Sequence, residues 1–271
     1  MEQVSGQQEW GGRLGEGQTR RPRGRHEQEL LQRALTPPGK VGTSFEEAEH
    51  IATQLHTVSR DLARLRMYYQ FGIDEVLTKV HILRREFEET HAYSPIEHVK
   101  SRLKSIDSLM AKVARIGCEL HIPTIRERVR DIAGIRITCS FLSDVYWIAS
   151  MLADQPDVTV VGTKDYIAAP KANGYQSLHL IVQVPVFLSD HTEDVFVELQ
   201  IRTIAMDFWA SVEHTLSYKY SHDLPEPLAA ELTATARVAT DLDRRMARLR
   251  EEIQRTPITD DTNNGPVTEP A

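Results

Sequence analysis

The stretch DIAGIRITCSF, Asp131 to Phe141, is where the chain changes period. Before it, apolar residues recur at helical spacing; within it they alternate. Asp131, Ala133, Ile135, Ile137, Cys139 and Phe141 fall on one side of an extended chain. Ile132, Gly134, Arg136, Thr138 and Ser140 fall on the other. The pattern predicts a strand over 131–141 with Asp131 in register with its mostly apolar side. A carboxylate there needs a partner, for which neighbouring Arg130 is one candidate, or a cation.

Two further stretches repeat the alternation. In VFVELQIRT, 195–203, Val195, Val197, Leu199 and Ile201 point one way, and Phe196, Glu198, Gln200 and Arg202 the other. Over 176–186, Leu178, Leu180, Val182 and Val184 alternate against Ser177, His179 and Gln183. If these strands pair with their apolar sides together, His179 shares a surface with Glu198. An exposed sheet face with routine polar residues gives the same alternation. Asp131 and Glu198 are candidate ligands for Mg²⁺, which takes hard oxygens and keeps waters, so that two carboxylates plus substrate phosphates suffice.

Around these strands the spacing predicts helices. Residues 44–90 carry Phe45, Ile51, Leu55, Val58, Leu62 and Leu65 after a candidate N-cap, Ser44. A break at Phe71-Gly72 is expected before a second helix with Val76, Val80, Ile82, Leu83 and Phe87. A further helix over 104–116 ends at Gly117, and others are expected over 142–154, 204–218 and 228–254, with another strand near 157–168. The fold class is α+β, a mixed four- or five-stranded sheet flanked by helices. Residues 1–42, rich in Gly, Gln, Glu and Arg, are expected to form a disordered arm, 43–255 a single domain, and 256–271 a flexible tail.

Composition excludes several classes. The 271 residues are 41% apolar and 26% charged, with a net charge of -7, which opposes a protein that coats nucleic acid by overall charge. Only Cys118 and Cys139 occur, so there is no disulfide framework or CxxC pair. No apolar run reaches the ~18 residues of a membrane span, and no signal-peptide pattern opens the chain. A cytoplasmic setting is expected.

Two segments suit phosphates. In SRLKSIDSLMAK, 101–112, Lys104, Ser108 and Lys112 recur every four residues along one helical stripe, with Arg102 at its entrance; a solvated basic face gives the same spacing. In KANGYQSLH, 171–179, Asn173-Gly174 supplies a turn, Lys171 a cation and Tyr175 a ring for a base. No GxxxxGK[ST] loop, GxGxxG fingerprint or GxSxG elbow is present.

Five ordered blocks complete the pattern: RLKSIDSLMAK (102–112), RDIAGIR (130–136), KDYIAAPKANGYQSLH (164–179), ELQIRT (198–203) and MDFWASVEHTLSYKY (206–220). Together they resemble the synthetase domain of the bacterial stringent-response enzymes, and in length the small alarmone synthetases, or GTP pyrophosphokinases, over roughly residues 55–250. The resemblance implies a nucleotidyltransferase-like synthetase fold that moves the β,γ-pyrophosphate of ATP to the 3′-hydroxyl of GDP or GTP, giving ppGpp or pppGpp and AMP. It implies Arg102 and Arg136 around the adenine, Lys104, Ser108 and Lys112 on the ATP phosphates, and Asp131 on Mg²⁺. Glu198 becomes the carboxylate that activates the hydroxyl and helps hold the ion. Tyr175 stacks on guanine, Asp207 reads that base, and Lys164, Lys171, His179, Gln200 and Arg202 line the acceptor and phosphate pocket.

The resemblance also implies homotetramers built through the helical ends, although the apolar stripes of 44–90 and 228–254 serve an intrachain core equally well, and allosteric binding of pppGpp or single-stranded RNA; no DNA or membrane partner is expected. Only about 50 residues precede the matched part and they hold no HD dipeptide, so synthesis without hydrolysis is expected. Ser217 stands where relatives often have Asn. A silent relative that binds guanine nucleotides or RNA would be expected to lose Asp131 or Glu198; both are present. A nucleotidyltransferase that releases pyrophosphate shares the sheet-and-carboxylates logic.

Overall fold

The computed structural model describes residues 45–219 and 225–256. The 1–42 arm, Ser44 and all of the tail but Thr256 lie outside the described residues, as does the side chain of Ser217. Contacts divide the chain between Gln54 and Leu55, and the described part of the first unit is the opening turns of one helix.

The elements in order are helix α1 (Phe45–Thr90), strand β1 (Ile96–Leu103), helices α2 (Ile106–Arg115) and α3 (Ile122–Arg128), strand β2 (Ala133–Cys139), helix α4 (Leu142–Ala153), strands β3 (Thr159–Asp165), β4 (Leu178–Phe187) and β5 (Thr192–Thr203), and helices α5 (Ile204–Lys219) and α6 (Glu226–Arg255). The strands form one mixed sheet in the order β1-β2-β5-β4-β3. Only β2 and β5 run parallel; the other three pairings are antiparallel. The expected α+β class with a mixed sheet holds, with five strands.

Alternation places the core. Ala133, Ile135, Ile137 and Cys139 of β2, Leu178 through Val186 at every second position of β4, and Val195, Val197, Leu199 and Ile201 of β5 are all buried. Tyr69, Ile73, Val76 and Val80 of α1 and Val145, Ile148 and Leu152 of α4 join them in one apolar cluster. Area removed from water on this side supplies the main drive for folding.

Three expectations change. The helix over 44–90 does not break: α1 runs through Phe71-Gly72 for 46 residues. Gly72 is there for proximity, because a Cβ would stand 2.7 Å from Cγ1 of Val195 and 3.5 Å from Cγ2 of Val197. Secondly, IEHVKSRL folds as edge strand β1, so Arg102 lies on a strand and not at a helix entrance. Its helix, α2, starts later and is capped by Ser105, whose Oγ accepts the Ser108 N–H at 3.2 Å. Thirdly, β2 begins at Ala133, and Arg130-Asp131 form a turn. The turn takes Asp131 out of the strand's phase and off the apolar side. The short helix α3 is also unforeseen. No helix among the described residues is long and apolar enough to cross a membrane.

Gly72→Ala tests the close approach. Crowding against Val195 outweighs the gain in helix propensity, for a net loss of about 1 kcal/mol, or a Tm lowered by about 2–4 °C. An unchanged or higher midpoint in thermal unfolding contradicts it.

Candidate active site

Strand register assembles the polar face in rows. Lys100 of β1 stands opposite Arg136 of β2, Arg136 beside Gln200 of β5, Gln200 opposite His179 of β4, and His179 opposite Lys164 of β3. The adjacent row runs Arg102, Gly134, Glu198, Ile181. Position 134 points away from the core, so the absence of a side chain on Gly134 leaves space between Arg102 and Glu198. That space is a pocket of about 320 Å³ lined by Lys100, Ser101, Arg102, Lys104, Asp131, Gly134, Arg136, Glu198 and Gln200.

Both oxygens of Glu198 accept hydrogen bonds. Gln200 Nε2 donates to Oε2 at 2.9 Å, and His179 Nδ1 stands 3.3 Å from Oε1. Behind them lies Arg202, only 3% exposed, whose Nη2 donates to Gln200 Oε1 at 2.8 Å and to the Tyr175 hydroxyl at 2.7 Å. The Tyr175 hydroxyl and His179 Nε2 are 2.8 Å apart. With Tyr175 already accepting from Arg202, its own O–H donates to Nε2, which leaves the imidazole proton on Nδ1 facing Glu198. Burial pushes the Glu198 carboxyl up, but the bonds from His179 and Gln200 outweigh it and hold it below its ordinary value.

Asp131 is held from a different side. Lys112 Nζ of α2 lies 2.6 Å from Oδ1, and Lys104 Nζ lies 3.2 Å from Oδ2. Lys104 is itself fixed through its backbone, whose N–H donates to Ile132 O and whose carbonyl accepts from Arg66 Nη1. Burial again raises the carboxyl; the Lys112 hydrogen bond and the two ammonium charges outweigh it, so Asp131 too sits below its ordinary value. Arg130 does not pair with it and instead lies over the Phe196 ring, 3.8 Å from the centroid.

Among the described residues no group of three or more His, Cys, Asp or Glu is poised around a common metal position. The donor set present nevertheless fits a hard divalent ion that draws its remaining ligands from water and phosphate: two ionised carboxylates, close enough for the charge of one to raise the other's pKa, line one pocket.

The 171–176 loop closes on itself. Gly174 N–H donates to Lys171 O at 2.8 Å, Lys171 N–H to Tyr175 O at 3.2 Å, and Tyr175 N–H to Asn173 Oδ1 at 3.2 Å. Gly174 has φ +89°, as the expected turn requires. Lys171 Nζ lies 4.7 and 4.6 Å from the ring centroids of Tyr166 and Tyr175. Asp207 of α5 accepts from Arg202 Nη1 and pairs with Arg136 Nη1, both at 3.2 Å. Among the described residues, the Nε atoms of Arg136 and Arg202 are buried without a partner.

The expected residues therefore fall into two adjoining groups on one sheet face. Arg102, Lys104, Lys112, Asp131, Arg136, Glu198 and Gln200 gather at the pocket or its lysines; Lys164, Lys171, Tyr175, His179, Arg202 and Asp207 lie beside it. Ser108 stands apart: it is exposed, and its hydroxyl accepts from Ser105 Oγ at 2.8 Å. Lys100 and Ser101 carry no sequence signal because the exposed strand β1 lacks an apolar period, and Tyr166, whose ring lies beside Tyr175 and His179, stands outside the turn-forming stretch 171–179.

A five-stranded mixed sheet with cations and two carboxylates gathered on its polar face is the RelA/SpoT synthetase fold. Residues 101–223 match the region found in RelA and SpoT proteins. GTP pyrophosphokinase YwaC of Bacillus subtilis is 45% identical over 199 residues, 73% of this chain and 95% of that protein. The small alarmone synthetase 1 of Bacillus subtilis, solved with its product pppGpp, superposes with a TM-score of 0.67 at 37% identity, covering 72% of this chain and 99% of the other. The same enzyme solved with AMPCPP gives 0.62 at 36% identity, covering 73% and 100%. The chain belongs to the RelA/SpoT family.

With folded-state values below the unfolded ones, Asp131 and Glu198 stabilise the fold above the ordinary carboxylate range and lose that contribution as pH falls through their folded values. Asp131→Asn should therefore flatten the loss of urea midpoint between about pH 5 and pH 3. An unaltered slope contradicts the pairing with the two lysines.

Proposed function

We propose that this chain transfers the β,γ-pyrophosphate of ATP to the 3′-hydroxyl of GDP or GTP, giving ppGpp or pppGpp and AMP, without hydrolysing its product. The observation that carries this is Glu198, ionised and with a donor on each oxygen, in the same pocket as the lysine-bound Asp131. Membership of the family and near end-to-end coverage of a GTP pyrophosphokinase support the same reading.

Each residue then has a task. Arg102 and Arg136 hold the adenine between planar guanidinium groups. Lys104, Lys112 and Ser108 take the donor phosphates. Tyr175 stacks on guanine, Asp207 reads its edge, and Lys164, Lys171, His179, Gln200 and Arg202 set the acceptor and its phosphates. Glu198 accepts the proton of the 3′-hydroxyl as that oxygen attacks the β-phosphorus. The bond from the β-phosphorus to the bridging oxygen of the α-phosphate breaks, and AMP departs with that oxygen. Asp131 and Glu198 would hold Mg²⁺, which offsets charge on the transferring phosphates. The hydrogen bonds from His179 and Gln200 fix the orientation of the base but weaken it, so alignment of the hydroxyl carries more of the rate than basicity does.

The domain we assign to this activity is 43–255, working in the cytoplasm as a homotetramer. An apolar groove of about 1150 Å³ between α5 and α6, with exposed Phe208, Leu242 and Met246, supports assembly through the C-terminal helices. Binding of pppGpp or single-stranded RNA outside the active site belongs to the same proposal.

Purified protein with Mg²⁺, γ-labelled ATP and GDP or GTP should move the label to the guanosine nucleotide while AMP accumulates, and the product should persist. Release of pyrophosphate instead of AMP, or no transfer, contradicts the proposal. Glu198→Gln should lower kcat by about 10²-fold or more with nucleotide Kd little changed.

A further inference from the structure

Helix α6 meets the rest of the domain along one stripe. Thr233, Ala236, Thr240, Asp243 and Arg250 follow each other at spacings that keep to a single helical face. The lower part of the stripe is anchored. Arg250 Nη1 lies 2.9 Å from Asp144 Oδ1, its Nη2 donates to the Tyr93 hydroxyl, and its guanidinium lies over the Phe141 ring. Asp243 Oδ2 accepts from Thr203 Oγ1 at 2.7 Å, one residue beyond Arg202.

The upper part touches the loop that carries Tyr175. Thr240 Oγ1 lies 2.7 Å from Gln176 Oε1 and 3.0 Å from Ala236 O of its own helix, and its single proton goes to the nearer Gln176; Thr233 Oγ1, which donates to Ala229 O at 2.9 Å, lies 3.5 Å from Asn173 O. Ala236 is packed so closely under Gly174 that a Cβ at 174 would come within 2.5 Å of the Ala236 Cβ. Tyr175 itself packs against the small cluster of Trp209, Ala210 and Ala236, and Trp209 Nε1 donates back to Leu232 O of α6 at 3.0 Å. The loop's own hydrogen bonds close its turn, and α6 supports that turn from beneath while Arg202 and His179 hold the Tyr175 hydroxyl. Gly174 is required twice, by its positive φ and by the helix beneath it.

We infer that α6 is a positioning element for the acceptor nucleotide: Thr240 and Ala236 hold the 171–176 loop so that the Tyr175 ring is set before the base arrives. The inference rests on the acceptor role proposed above for Tyr175. A helix that touches no nucleotide in this scheme thereby sets acceptor affinity, by sparing the loop the ordering cost on binding. The donor pocket is built on β1, β2 and α2, away from the 171–176 loop, so loosening α6 should affect the two nucleotides unequally.

The test measures equilibrium Kd for GDP and for a nonhydrolysable ATP analogue in the full chain, with Mg²⁺ present. Thr240→Val keeps the shape of the side chain and removes the donor to Gln176. It should raise the GDP Kd about fivefold, the worth of one ordinary hydrogen bond, and leave the ATP-analogue Kd unchanged. Thr240→Ser, which keeps the hydroxyl, should restore GDP binding. Gly174→Ala should weaken GDP more strongly still. Equal weakening of both nucleotides by Thr240→Val, an unchanged GDP Kd, or failure of Ser to restore it overturns the inference. GDP binding with these shifts in a wild-type protein that transfers no pyrophosphate overturns the proposed reaction and leaves the positioning role standing.

Discussion

The polar face is organised by one buried guanidinium. Arg202 sits on the central strand β5, almost wholly removed from water, and a charge so placed needs acceptors. It finds Asp207, Gln200 and Tyr175. Two of these pass the orientation on: Gln200 directly, and Tyr175 through His179, each ends at a separate oxygen of Glu198. The carboxylate is thus aimed from behind, and its remaining lone pairs face the pocket. Among the described residues, one member of this network, the Arg202 Nε, is buried without a partner.

The second carboxylate answers to different constraints. Asp131 leaves the strand phase at a turn and is caught by lysines from both sides of the start of α2. On the proposed reading, donor contacts come from β1, β2 and α2, and acceptor contacts from β3, β4, β5, α5 and the 171–176 loop. Glu198 lies where the two meet, on the strand that pairs with both β2 and β4. The chain's net charge of -7 has no bearing on this local field, which four cationic side chains around the pocket dominate.

Much of this was legible in alternation. The face shared by Glu198, Gln200, Arg202 and His179 follows from a period of two, and the structure pairs His179 with Glu198 as that period requires. The signal failed where a residue obeys tertiary packing. Gly72 looks like a helix break because its close contact with Val195 is invisible in sequence. Asp131 seems to continue an apolar alternation because nothing local marks the turn before Ala133. Edge strand β1 is largely exposed and polar, so it lacks the apolar period that would reveal it. The ion pair that ties Arg136 to Asp207 joins segments far apart in sequence, and no spacing rule anticipates it.

In the proposed reaction Asp131 and Glu198 jointly seat a divalent cation between donor and acceptor. Crystals grown with Mn²⁺, a nonhydrolysable ATP analogue and GDP test it through the anomalous signal of the metal. One peak is expected, in contact with oxygens of both side chains and of the donor phosphates, with Lys104 and Lys112 moved onto those phosphates. A metal bound away from either carboxylate, with both lysines still on Asp131, would contradict it.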